Sequence, residues 1–326
     1  MVFITVGCVS DGGLNQPSWD SRQMTVQTLS LFRQQGADGK WEGDWILRRR
    51  RLDMIDRELR QFKPDLLFLQ QVMAKGGDYS PESDKRLLRA GALGGDYQWS
   101  GSVAHEHEKS HEEESMVTVV GLPANFSRPA PEVCIRGDAR QCWPLGYDGW
   151  AVASVIDFEG QAVAVINVDM PEQQERIGHW YGVLRDRIDV FLDRENICPQ
   201  RVIVGGFMPQ DVGVGQYDIF KNGLELMDTA QEFCEQESRC YTATPLNEFY
   251  YGVYGDRRPT HTDRVLVHKS ALVYSGNVSF KNSMTADEYL QSKGLHELWA
   301  SDRFGWSTVV RLARCVVKTT SIPDDL

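Results

Sequence analysis

The chain has 326 residues, 41% of them hydrophobic, and a net charge of -11 from 46 acidic and 35 basic side chains. That apolar content excludes a disordered tail or a minimal stapled scaffold, and so negative a mean field disfavours electrostatically driven binding to nucleic acid or an anionic membrane. Seven cysteines without a CxxC pair signal neither a disulfide framework nor a thiolate zinc site, and no membrane span is predicted because nowhere do about 18 apolar residues run together.

The pattern in chain order alternates short β-rich runs with amphipathic helices. Val2 to Val6 reads as a buried first strand, and the start of the chain lacks the basic segment and long apolar core of an export signal. Together with the scattered cysteines this predicts an unexported, cytoplasmic protein. Leu52, Ile55, Leu59 and Phe62 recur at helical spacing, giving an apolar face predicted as core, and the helix stops before Pro64. The preceding run Arg48 to Arg51 reads as a solvated face. A strand, Asp65 to Gln70, follows at once. The segment 81–93 predicts a second helix with Ser83 as a cap, and strands are predicted at Tyr97 to Trp99 and Met116 to Val120.

Beyond a loop rich in proline and glycine, two strands, Trp150 to Phe158 and Ala162 to Asp169, flank the tight-turn signal Glu159-Gly160-Gln161. A long helix is predicted over Glu172 to Leu192. Arg201 to Val204 has the profile of a central strand opening into Gly205-Gly206. The last third predicts a short helix near Tyr217 to Leu226 and strands at Arg264 to His268, Ala271 to Phe280 and Ser307 to Ala313. No linker-like stretch interrupts these elements, so residues 1–326 are predicted to form a single domain of mixed α/β class.

Five segments in this order carry a resemblance. KPDLLFLQQVM (Lys63 to Met73), VINVDMP (Val165 to Pro171), RVIVGGFM (Arg201 to Met208), TDRVLVHK (Thr262 to Lys269) and ASDRFGWSTVVRL (Ala300 to Leu312) are similar to the ordered motifs of the endonuclease/exonuclease/phosphatase (DNase I-like) superfamily. The resemblance spans nearly the whole chain. It implies an α/β (α+β) fold, a four-layer α/β/β/α sandwich, with a phosphodiester-cleaving site at one end. In that family a Glu binds Mg²⁺, an Asp-x-Asn pair orients water and phosphate, and a His held by an Asp stabilises developing charge.

This sequence departs from the implied site at most positions. Gly7 stands where an Asn is expected on the first strand, Gln71 replaces the metal-binding Glu, and Asp169 replaces the His that follows Asn167. Gly206 and Met208 replace the Asp and Asn of the third motif, and Arg303 replaces the final His. Asp263 and Asp302 remain in register. A neutral amide is a poor Mg²⁺ ligand, glycine accepts no proton, and a guanidinium shuttles none. The resemblance therefore implies a pseudoenzyme with a degenerate site and no cofactor, acting on an unknown protein or a small phosphorylated ligand. The ligand-binding candidates are Arg303, Asp302, Asp263 and Asp169. The alternative is a divergent phosphodiesterase or phosphatase in which Asp169, Asp263 and Asp302 hold a displaced Mg²⁺.

Arg303 pairing with Asp263 or Asp169 is the simpler use of those charges. His105, His107 and His111, set among glutamates, form a candidate Zn²⁺ or Ni²⁺ site whose plainer reading is a solvated loop. Trp306 and Phe304 are candidates for stacking on a base or sugar, with sheet packing as the plainer role. Gly205 and Gly206 indicate a close backbone approach or a tight turn.

Overall fold

The computed structural model describes residues 18–31, 45–73, 84–106, 113–131, 140–145, 149–170, 177–209, 215–234, 240–244, 247, 260–292, 294–301 and 304–315. Two mixed sheets pack face to face. The first has the strand order β12-β15-β1-β2-β4-β3, from β1 (Met24–Ser30), β2 (Leu66–Met73), β3 (Tyr97–Glu106), β4 (Glu113–Gly121), β12 (Leu272–Ser279) and β15 (Gly305–Arg311). The second runs β10-β11-β9-β8-β7-β5, from β5 (Asn125–Arg128), β7 (Trp150–Phe158), β8 (Gln161–Asp169), β9 (Val202–Phe207), β10 (Leu226–Asp228) and β11 (Asp263–His268). A short β6 (Cys142–Pro144) also pairs with β7, and β13 (Ser283–Thr285) pairs with β14 (Glu297–Trp299).

Three apolar layers explain the stacking. Met24, Val26, Leu66 and Phe68 of the first sheet meet Ile156, Val165, Ile203 and Val265 of the second in the central core. The outer face of the first sheet is covered by α1 (Trp45–Phe62), α2 (Asp84–Ala90) and α5 (Glu288–Ser292), through Leu52, Ile55, Leu59, Leu88 and Leu290. The outer face of the second is covered by α3 (Ile177–Glu195) and α4 (Gln216–Gly223), through Tyr181, Leu184, Ile188 and Phe220. The four-layer α/β/β/α sandwich expected from the motif order is thus the observed architecture. Strands β7, β8 and β9 read as near-continuous apolar runs because both of their faces are buried.

Local chemistry sets the element ends. Lys63 takes a left-handed conformation (φ 42°), its N–H bonds the Leu59 carbonyl at 2.8 Å, and Pro64 forbids continuation of α1. Glu159 and Gly160 both have positive φ, 53° and 75°. They make a two-residue turn whose twist matches the β7–β8 hairpin, with Phe158 facing Gln161.

Several expectations are corrected here. Phe62, read as core, is 50% exposed because the helix face rotates past the sheet in its last turn. The arginine run is a solvated face only in part: Arg49 is exposed and Arg50 half-buried, but Arg48 and Arg51 are buried, Arg48 pairing with Asp84 of α2 and Arg51 donating to the Ala300 carbonyl. The chain also carries disulfides, against the cysteine arithmetic. Cys198 is bonded to Cys315 and Cys234 to Cys240, and Cys142 is disulfide-bonded as well. The partners are brought together by tertiary folding across 117 residues in one case, which no spacing rule detects. Val2 to Val6 lies outside the described residues; the strand that pairs with both β2 and β15 is Met24–Ser30.

Candidate functional site

The five motif segments converge on one end of the sandwich. There β1 ends at Ser30, β2 bulges at Gln70 and Gln71, β8 passes Asn167 and ends at Asp169, β9 ends just past Gly206 at Phe207, and β11 begins at Asp263. Asn167 is fully buried and stitches the two sheets together. Its Nδ2 donates to the Leu69 and Val117 carbonyls, 3.1 Å each, and its Oδ1 accepts from Gln70 Nε2 at 2.7 Å. Ser30 Oγ lies 3.1 Å from both Gln70 Oε1 and Asp263 Oδ1, so its single proton is shared between them.

Asp263, also fully buried, is set by the segment 240–244. Thr242 Oγ1 accepts the backbone N–H groups of Thr262 (2.8 Å) and Asp263 (3.0 Å), and Thr262 Oγ1 donates to Asp263 Oδ2 at 3.2 Å. Ser301 Oγ donates to the Ser30 carbonyl at 2.6 Å, Asn247 Nδ2 donates to the Ser301 carbonyl at 2.7 Å, and the Phe304 N–H reaches the Thr242 carbonyl at 2.7 Å. These bonds tie Ser301 to β1 and Phe304 to the segment 240–244.

Two backbone features shape the site. Gln71 is left-handed (φ 58°) at a bulge where Gln70 and Gln71 together oppose Met116 between the Leu69–Val117 and Val72–Ser115 pairs. Gly206 has φ 135°, and a Cβ built there would lie 2.0 Å from the Val168 carbonyl oxygen. This kink breaks the strand's alternation. Val202 and Val204 face the helices, Ile203 faces the central core, and a Cβ at Gly205 would enter the Phe68 ring. Phe207 should then face inward, yet both it and Met208 pack in the helix-side core. Asp169 and Asp263 flank Phe207 in register, on the inward face of their strands, with no β9 side chain between them. Two strand spacings put their Cα atoms about 10 Å apart.

Behind β11 lies a buried polar cluster that sequence reading missed. Arg264 pairs with Asp228, donates to the carbonyls of Met208 (2.9 Å) and His261 (2.6 Å), and stacks over Tyr217, whose hydroxyl donates to Asp228 at 2.8 Å. Burial alone would raise the Asp228 pKa, but the Arg264 charge and these hydrogen bonds hold it below the ordinary carboxylate range. His261 bonds the Cys240 carbonyl through Nδ1 at 2.7 Å. Its burial, reinforced by Arg264, lowers its pKa to about 4, so the ring is neutral near pH 7.

Of the sequence-predicted site residues, the structure brings together Gln71, Asn167, Asp169, Gly206 and Asp263, while Met208 is turned away into the helix-side core. Gly7, Asp302 and Arg303 lie outside the described residues, and with them the expected Arg303–Asp pairing. His107 and His111 lie outside as well; His105 is in β3, its backbone opposite Glu114. Among the described residues no three His, Cys, Asp or Glu side chains form a metal-ligating group. Trp306 packs in the central core, donating to Thr229 Oγ1 at 2.9 Å, and Phe304 packs on Trp299. Sequence reading missed Ser30, Gln70, Thr242, Asn247 and Ser301. A hydroxyl or an amide near an apolar strand is their only local signal, and it is shared by many surface residues.

No protein-family model matches the sequence, and no curated protein matches it by sequence. Solved structures do match in fold. An endonuclease/exonuclease/phosphatase family protein from Bacteroides thetaiotaomicron superposes with a TM-score of 0.62 at 14% identity, over 89% of this chain and 98% of that one. A protein of the same family from Beutenbergia cavernae gives 0.58 at 15% identity, over 90% and 72%. A D. rerio TDP2 solved with a single-strand DNA product gives 0.54 at 13% identity, over 89% and 99%. A helix long and apolar enough to cross a membrane is absent among the described residues. The sheet order, the converging motif strands and these superpositions establish that the chain has the DNase I-like fold of the endonuclease/exonuclease/phosphatase superfamily.

Proposed function

We propose that this chain is a binding protein built on a hydrolase fold, in which the catalytic end of the sandwich has become a hydrogen-bonded recognition cleft. The observation that carries this reading is Gly206. At the position where the family resemblance places the water-activating Asp, the backbone has φ 135° and the Val168 carbonyl occupies the space of a Cβ. A general base is thus lost together with the room for one. The neighbouring positions agree: Gln71 offers a neutral oxygen where Mg²⁺ prefers anionic ones, and Asn167 and Gln70 are committed to holding the sheets together. The donor set is a poor fit to Mg²⁺.

Calorimetric titration with Mg²⁺ and Mn²⁺, paired with hydrolysis assays on bis(p-nitrophenyl) phosphate and single-stranded DNA, tests the proposal. The expected result is no stoichiometric metal heat and no turnover above the buffer blank. One bound metal per chain with turnover abolished by Asp302→Ala overturns it. DNA belongs among the probes because a TDP2 neighbour was solved with a single-strand DNA product, and the net charge of -11 speaks against it only as a chain-wide average.

A second reading has its own support. Asp169 and Asp263 face inward on either side of an empty β9 position, spacing that would suit a metal displaced from the family's position, with Asp302 as a third ligand. It predicts metal binding lost in Asp263→Asn. For the setting, the disulfides support folding in an oxidising compartment over the cytoplasm read from the sequence. A central core that includes both β1 and β15 supports the proposal of one domain over residues 1–326.

A further inference from the structure

A cavity of about 430 Å³ opens at the edge of the second sheet, lined by Arg128, Arg140, Gln141, Arg194 and Glu195. In a chain whose acidic residues outnumber its basic ones, three guanidinium groups here surround one carboxylate, an excess of two positive charges. Three elements separated in sequence bring them together: Arg128 ends β5, Arg140 and Gln141 lead into β6, and Arg194 and Glu195 end α3. The floor is fixed, since Gln141 Nε2 donates to the Pro129 and Ala153 carbonyls at 3.0 and 3.1 Å.

Glu195 orients two of the arginines, Arg128 and Arg194. Its side chain is only 5% exposed, Oε2 pairs with Arg128 Nη1, and Oε1 pairs with Arg194 Nε at 2.8 Å. Arg194 Nη2 also donates to the Arg140 carbonyl at 2.6 Å. Both carboxylate oxygens are therefore used within the protein, while the side chain of Arg128 remains 56% exposed and that of Arg194 34% exposed. Arginine forks held by a buried strut are preorganised for the bidentate recognition of oxyanions. The volume suits a small ligand.

We propose that this cavity is a binding site for a small phosphoryl-bearing anion with at least two negative charges. It is separate from the cleft. On β7, Val155 faces Arg128 and Trp150 faces Asp169, so five residue steps, about 17 Å of strand, separate the two sites.

Isothermal titration of the full chain with inorganic pyrophosphate at low ionic strength, with citrate as a polycarboxylate comparison, tests it. Saturable binding of pyrophosphate at one site, tighter than citrate, is expected. The double substitution Arg128→Gln/Arg140→Gln should weaken it by about a hundredfold, each charge-assisted contact being worth about tenfold or more. Arg140→Lys, which keeps the charge and loses the fork, should fall between. Asp169→Asn, in the cleft, should leave the binding unchanged. No saturable heat, citrate binding as tightly as pyrophosphate, or pyrophosphate binding that survives the double substitution overturns the proposal. Melting curves of each variant verify that the fold is kept.

Discussion

At Gly206 the backbone itself leaves no room for a side chain. Replacing the glycine by Asp places a Cβ 2.0 Å from the Val168 carbonyl oxygen and forces a side chain into φ 135°. Gly206→Asp is expected to restore no hydrolysis. Gly206→Ala is expected to lose about 1–3 kcal/mol of stability, or more if the clash is not relieved, measured by urea unfolding. Asn167 is the structural counterpart. Asn167→Ala strips partners from the Leu69 and Val117 carbonyls and from the Gln70 amide at once, so a loss of about 2–4 kcal/mol is expected in the same assay. At this scale the sequence was legible in identity and opaque in role. The Gly-Gly pair is visible in the sequence, but the carbonyl that fills the Cβ position of Gly206 belongs to a strand about forty residues earlier.

Between β10, β11 and α4, the Arg264–Asp228–Tyr217 cluster and His261 tie the back of the cleft together, and their titration makes stability depend on pH. The folded His261 pKa is about 4, against the ordinary 6.5. Below pH 6.5 the unfolded chain takes up a proton that the folded chain refuses, so stability falls as the pH drops from 6.5 toward 4, by at most about 3 kcal/mol. Asp228 adds to the loss at lower pH: its folded pKa lies below 3.8, so its stabilisation is full above its unfolded pKa and disappears as the pH falls through the folded value. Urea unfolding across this range checks the slope, and His261→Gln should flatten it between pH 6.5 and 4. Breaking the ion pair in Arg264→Met strands the buried Asp228 carboxylate, with an expected cost of about 3–5 kcal/mol. Nothing in the sequence pairs these residues, because the period of an apolar run reports which face of a strand is buried and is silent on which polar group meets it from another element.

At the scale of the whole molecule the first and last described segments are fastened to one corner. Arg201 and Asp20, both fully buried, form an ion pair at 2.5 Å, Arg201 Nη2 donates to the Phe158 carbonyl at 3.1 Å, and the Cys198–Cys315 disulfide closes the same corner. Its long loop restricts the unfolded chain, and Cys198→Ser/Cys315→Ser is expected to cost about 2–4 kcal/mol of stability. Thiol titration of the unfolded, unreduced protein should find the cysteines at 198, 234, 240 and 315 unreactive until reductant is added. Reactive thiols at those positions would contradict the disulfides and return the chain to a reducing setting.

The sequence by itself determined the fold. Strands β2, β7, β8 and β9 are largely runs of apolar residues whose burial is set by their own composition, and their order along the chain admits few ways of stacking. Only the tertiary structure decided that Ser30 supplies the first strand's contribution, that the Gly206 position has no room for a side chain, that Arg48 and Arg51 are buried, and that the cysteines pair. Each of these depends on what a residue far along the chain brings into contact, and strand register, backbone clash and disulfide reach are properties of assembled elements that no local run of residues encodes.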